Sequence, residues 1–188
     1  SLYDSNPLSH NEDHPEKSGN AIELGKYTAT EWCDTLQKAL QIIETWLPEW
    51  YAELSLSLQR IVPVGFFEER HLSASYKEAV GLAYISLHPD PLIMAEAIIH
   101  ETQHNKINSL LHFDPLLSNG HSEWTSSPVR PDLRPLSGVF LALHAFLPVE
   151  AMLYRLRLLQ DPLTQTPSYK RRYKEIKQAN RRALETII

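Results

Sequence analysis

His100-Glu101-Thr102-Gln103-His104 decides how the rest of the chain is read. The pentad has the form H-E-x-x-H. On an α-helix, residues four apart project to the same side, so both imidazoles can reach one metal ion. Glu101 lies about 100° further round, close enough to touch a ligand on that metal, and is the candidate catalytic side chain. Neutral imidazole suits zinc, iron, copper and nickel alike, so the pair does not select the metal.

The flanking residues supply the helix. Asp90 fits an N-cap and Pro91 the first helical position. No proline or glycine interrupts the chain from Leu92 to about Phe113, and Asp114-Pro115 ends the run. On this helix Ile93, Ala97, Ile107 and Leu111 share a face with His100 and His104, which predicts that the two imidazoles point inward. Paired inward histidines at metal spacing are better explained by an ion than by two carbonyl-bonded core residues.

At 188 residues with 43% hydrophobic and 22% charged side chains, the chain is long enough and apolar enough for one globular domain. The expected organisation is a polar, flexible segment at 1–20, containing His10 and His14, followed by a single metalloenzyme domain over 21–188. Cys33 is the single cysteine, which excludes a disulfide framework and a cysteine-rich zinc site and suits a cytoplasmic location. No signal peptide and no apolar run of membrane-spanning length is expected, hence no membrane partner. The chain opens on Ser1, as a processed form or a piece of a longer protein would.

Net charge is −5, unevenly spread. Residues 167–188 carry seven Lys and Arg against two Glu, a net of +5, which leaves −10 for the rest. A basic terminal helix reads as a solvated face or as a site for an acidic partner. The acidic body and the absence of a binding motif argue against nucleic acid.

In chain order, Thr30 opens a helix with Trp32, Leu36, Leu40, Ile43 and Leu47 at helical spacing, and Pro48 leads into a second from Glu49 to Leu58. Ile61–Phe67, His71–Tyr76 and Val80–Leu87 are strand-like. A short sheet running straight into an H-E-x-x-H helix is the zincin arrangement, in which an edge strand can hold an extended peptide. Gly81 permits close backbone approach or marks a bulge. Phe113 to Pro135 reads as a long irregular loop stiffened by prolines. Its Arg130 and Arg134 form a candidate carboxylate clamp, since guanidinium grips carboxylate in a bidentate fork. Structural pairing with Asp132 is the competing explanation. Pro135 starts a strongly apolar helix that Pro148 kinks or divides, and an amphipathic helix closes the chain from Pro167.

The metal needs a third protein ligand. His144, alone among apolar residues on the helix after Pro135, can supply it, and Glu150 is its rival. His112 and His121 are weaker candidates. The compact three-histidine metalloprotease spacing fails, because Ile107 and Leu110 occupy its glycine and third-histidine positions. The fold class expected is α+β, predominantly helical, with a zincin-like short sheet, the H-E-x-x-H helix and a second ligand-bearing helix.

From about His71 to Val149 the chain resembles the HEXXH-motif peptide-modification family encoded with ribosomally made peptides. The resemblance rests on four features. These are Ser73-x-Ser75 before a glycine-containing strand, the Leu92–Lys106 helix, the Arg130-Pro-Asp-Leu-Arg134-Pro-Leu loop, and the Gly138–Phe146 helix with His144. It covers under half of the chain. It implies an iron(II) and 2-oxoglutarate-dependent oxygenase that hydroxylates Cβ in a precursor peptide. His100, His104 and His144 would hold iron, and Arg134 or Arg130 the distal carboxylate of 2-oxoglutarate. Glu101 would then contact substrate or orient a ligand rather than serve as a peptidase base.

Two other readings compete. In a zinc peptidase Glu101 is the general base, acting on a water whose pKa zinc lowers to about 7. The Arg-Pro-x-x-Arg-Pro loop opposes this, because hydrolysis needs no dicarboxylate cosubstrate. The third reading is an inactive, metal-stabilised module that binds a peptide, which the intact His100, Glu101 and His104 oppose. The sequence leaves the oligomeric state and the peptide open.

Overall fold

The computed structural model describes residues 22–65, 71–128 and 133–188. The N-terminal segment with His10 and His14, the end of the first strand candidate at Phe66 and Phe67, and Arg130 with Asp132 lie outside the described residues. The fold is α+β and predominantly helical, as expected, with small sheets. The chain divides at Asn105/Lys106 into two compact units.

In the first unit, helix α1 spans Ala29–Trp46 and helix α2 spans Pro48–Ser57. The helix opens one residue before the start expected at Thr30, because Thr28 caps it. The Thr28 hydroxyl accepts from the Glu31 amide at 3.2 Å, and the Glu31 carboxylate accepts from the Thr28 amide at 2.7 Å. This reciprocal box satisfies two amides that a helix start leaves open. Trp32, Ala39 and Ile43 form the buried face of α1, and the Trp32 indole donates to the Leu24 carbonyl. Pro48 takes the first position of α2, where its missing N–H costs nothing.

Three short strands follow, β1 (Arg60–Pro63), β2 (Ser73–Ala74) and β3 (Leu82–Ile85), in the order β1-β3-β2. The central strand β3 runs parallel to β1 (Ile61 opposite Ala83) and antiparallel to β2 (Ala74 opposite Tyr84). Val64, Ala74, Tyr76 and Tyr84 are buried together on the sheet. A 3-10 turn at Lys77–Ala79 and Gly81, at φ +88°, bring the chain into β3. A side chain is strained at that φ, and a Cβ there would sit 3.1 Å from Gln59 Cγ.

Helix α3, Pro91–Leu111, follows β3 after five residues. Asp90 caps it as expected: its carboxylate accepts from the Leu92 amide at 2.9 Å. The inward face agrees with the expected one at Ala97 and Ile107, which are buried, and differs from it elsewhere. Met94, Ile98, Glu101 and Asn105 are at most 2% exposed, whereas Ile93, Leu111 and both histidines are only half-buried. The deepest stripe is thus turned by one residue, from the histidines toward Glu101. Hydrophobic spacing alone did not reveal this, because both stripes contain aliphatic residues.

The second unit holds strands β4 (Trp124–Ser126) and β5 (Leu133–Pro135), and helices α4 (Leu136–Leu158) and α5 (Pro167–Ile187). The stretch expected to be irregular is therefore partly a hairpin, with Thr125 opposite Arg134. Three-residue strands are too short for alternation to show. Helix α4 is not divided at Pro148. Pro148 has no N–H to give the carbonyl of His144, but Ala145, Pro148, Val149, Met152, Leu153 and Leu156 are buried, which offsets the lost bond. Because the proline is absorbed, α4 has the length and mean hydropathy (1.7) of a membrane span, a correction to the sequence expectation. It is also the core helix of its unit. It packs on α5, whose Tyr169 hydroxyl donates to the Leu153 carbonyl and whose Asn180 amide donates to Glu150 at 2.8 Å. Helix α5 is amphipathic as expected, burying Tyr169, Ile176, Ala179, Asn180 and Ala183.

Candidate metal centre

One turn of α3 places the His100 and His104 Nε2 atoms 3.0 Å apart, with ring centroids 4.5 Å apart and ring planes nearly perpendicular. One imidazole donating to the other gives such a separation. So does a shared cation. With metal–nitrogen bonds of about 2.1 Å, the two nitrogens subtend roughly 90° at the ion. Both rings are half-buried.

Glu101 projects from the deeper face and is 2% exposed. Its Oε2 accepts a 2.7 Å hydrogen bond from the Ser75 hydroxyl, which follows immediately after β2. A buried carboxylate is costly unless it is hydrogen-bonded, so this donor fixes the carboxylate's position as well as stabilising it. The edge strand and the metal-motif helix are thereby tied at the residue between the two histidines.

Asn105, fully buried one turn beyond Glu101, makes the second tie. Its amide donates to the Leu82 carbonyl at 2.9 Å and its carbonyl oxygen accepts from the Gly81 amide at 2.7 Å. A third bond runs to the Glu101 carbonyl at 3.2 Å. Asn105 thus sets where β3 begins relative to the H-E-x-x-H turn. The same contact explains Gly81: its amide reaches Asn105 from a backbone conformation that glycine adopts without strain.

Two further histidines stand nearby. The His71 and His88 rings meet edge-on with centroids 5.4 Å apart. His88 Nδ1 accepts from the Asp90 amide at 3.0 Å, which orients the ring at the start of α3. Burial, reinforced by His88, pushes the His71 imidazole down to about 4; a Ser86 backbone hydrogen bond and the Glu101 carboxylate pull weakly the other way. His71 is therefore neutral at physiological pH. Its Nε2 is buried without a hydrogen-bond partner among the described residues.

The remaining candidates lie in the second unit. His144 is half-buried on α4 and Arg134 half-buried on β5. Glu150, the rival third ligand, accepts from Asn180. His112 and His121 are exposed, and Arg130 lies outside the described residues. Among the described residues, no group of three His, Cys, Asp or Glu side chains is gathered at ligand distance. The geometry thus brings together His100, Glu101 and His104 with Ser75. Sequence reasoning assigned no role to Ser75, His71, His88 or Asn105. The Ser73-x-Ser75 pattern and the polar Asn105 in line with Glu101 on a helix were the available signals.

The fold and site together define an α+β chain with a two-histidine candidate metal centre and a buried, hydroxyl-bound glutamate. No protein-family model matches the chain, and no curated protein is similar enough to count as a relative.

Proposed function

We propose that the chain is an iron(II) and 2-oxoglutarate-dependent oxygenase that hydroxylates Cβ of a residue in a ribosomally made precursor peptide. The observation that carries the reading is the 3.0 Å approach of the His100 and His104 Nε2 atoms beside a glutamate bound by Ser75. Two imidazoles one helical turn apart could share an ion and would leave other positions on it for a cosubstrate. The donor set of neutral imidazoles fits iron(II) equally well.

His100 and His104 would hold the metal, and His144 would supply the third donor. Arg134 or Arg130 grips the distal carboxylate of 2-oxoglutarate through a planar guanidinium fork. The bound metal and cosubstrate supply the oxidising chemistry at Cβ. Ser75 holds the Glu101 carboxylate toward its own side, so that Glu101 orients the site or contacts the peptide. The zincin-like arrangement of β2, β3 and α3 gives that peptide an edge strand to lie along. The metal, the peptide partner and a cytoplasmic location without nucleic acid or membrane belong to this reading.

A zinc peptidase is the second reading, and the burial of Glu101 favours it. A desolvated carboxylate beside a metal-bound water is a competent base. The two readings separate on 2-oxoglutarate. With iron(II) and oxygen, the hydroxylase forms succinate slowly even without peptide, and His100→Ala and His104→Ala abolish this. Succinate formation that persists in both variants, or none under any loading, overturns the proposal.

A further inference from the structure

A cleft of ≈350 Å³ opens in the second unit, lined by Pro128, Phe146 of α4, and the Arg172, Glu175, Ile176, Gln178, Ala179 and Arg182 side of α5. It is separate from the H-E-x-x-H turn in sequence and serves no role in the reading above. Its floor is apolar, and its walls carry two arginines, Arg172 and Arg182, against one acid, Glu175. Arg172 lies over the Phe146 ring at 5.8 Å, and its guanidinium pairs with Glu175 at 3.5 Å. Glu175 also pairs with Arg171 at 3.9 Å, and Glu185 with Arg181 at 2.9 Å, so both acids of α5 are engaged by arginines. Arg182 pairs with no carboxylate among the described residues. Helix α5 thus presents surplus positive charge beside an apolar slot, on a chain whose remainder is strongly acidic.

We infer that this cleft is a docking site for an acidic peptide segment that carries one large apolar side chain. The volume is at the small end for ligand pockets and accommodates about one or two side chains. The apolar floor takes the anchor, and Arg182 takes a flanking carboxylate as a bidentate partner, with Arg172 adding positive charge beside it. Charge complementarity selects an acidic partner, and the apolar floor selects a peptide over a phosphate polymer. Resting on the proposed function, the segment belongs to the precursor peptide outside the residue that is modified.

The test uses the full chain and a fluorescein-labelled synthetic peptide of about 16 residues, rich in Glu and Asp around a central Leu-Phe pair. Anisotropy reads binding without metal or 2-oxoglutarate. Two variants at exposed positions keep the fold, checked by circular dichroism: Arg182→Glu reverses a wall charge, and Gln178→Trp fills the cleft without changing charge. The expected result is saturable binding, weakened about tenfold by each variant and falling as salt rises. A peptide with Lys in place of its acids does not bind. Equal binding by the Lys peptide, or affinity within about twofold in both variants, overturns the inference. So does tighter binding of an oligothymidine through Arg182. Failure of the hydroxylase reading shows separately: the acidic peptide still binds, while no 2-oxoglutarate is consumed.

Discussion

Ser75 and Glu101 are 26 residues apart in sequence and joined by a 2.7 Å hydrogen bond, the hydroxyl donating to Oε2. The bond links the end of the edge strand to the middle of the metal motif, so the carboxylate is held by the sheet and not only by its own helix. Ser75→Ala removes a donor to a buried charged group, an interaction worth about 1.5–3 kcal/mol. If that stabilisation is expressed in turnover, the rate falls roughly ten- to a hundredfold. Metal content, read by mass spectrometry, stays at the wild-type level, and Ser75→Thr restores most of the rate. Loss of metal in Ser75→Ala would instead make the bond a support for the histidines.

Asn105 secures the opposite side of the same turn. Asn105→Ala leaves the Gly81 amide without its acceptor and the Leu82 carbonyl without this donor, in a fully buried position. The expected destabilisation is about 2–4 kcal/mol, read as a lower urea midpoint with an unchanged slope. A change below about 0.5 kcal/mol, the range of an ordinary surface substitution, would show that β3 is placed by its strand neighbours alone.

Helix α3 and its cap were legible because proline, an N-capping aspartate and an uninterrupted apolar run act locally. So were α1, α2 and α5, whose periodic faces point to one core each. The β4–β5 hairpin was not, since three-residue strands joined by a proline-rich segment carry no alternation. Nor was the continuity of α4 through Pro148: whether a proline divides a helix depends on the packing around it, which sequence spacing does not contain. At the candidate site the motif marked His100, Glu101 and His104. The partners that position them come from strands 20 to 30 residues upstream, and a pairing of that kind has no local signature.

His71 gives the protein an acid-sensitive element. Its imidazole is held near 4 in the folded chain by burial and His88, against 6.5 in the unfolded chain. The unfolded state therefore binds a proton first as pH falls, and the folded state does not. Stability is unaffected above about 6.5, declines as pH drops from 6.5 toward 4, and loses nothing further from this group below that. The slope in this window reaches at most about 1.4 kcal/mol per pH unit. His71→Leu flattens it, as measured by urea unfolding at pH 7, 6 and 5. An unchanged slope would place the acid sensitivity in another group.

Glu101→Gln separates the two chemistries that an H-E-x-x-H turn supports. In the oxygenase the variant retains iron, keeps a measurable hydroxylation rate and loses a modest factor. In a zinc peptidase it removes the base, and hydrolysis falls by about two to four orders of magnitude. Peptide turnover followed by mass spectrometry distinguishes a gain of one oxygen from cleavage.

The oxygenase reading also gives roles to His144, as third metal ligand, and to Arg134, as partner of the 2-oxoglutarate carboxylate. His144→Ala is expected to lower iron occupancy sharply, whereas Glu150→Gln, altering a side chain that already accepts from Asn180, leaves it near wild type. The reverse pattern would exchange the two as third ligand.

The decisive measurement is anaerobic addition of 2-oxoglutarate to the iron(II)-loaded protein, followed by visible absorption. A weak charge-transfer band of the chelated iron–2-oxoglutarate complex is expected, lost in Arg134→Ala at unchanged iron content and recovered only at much higher cosubstrate. No band in the wild-type protein, with tightly held zinc as purified, would contradict the oxygenase and make Glu101 a peptidase base.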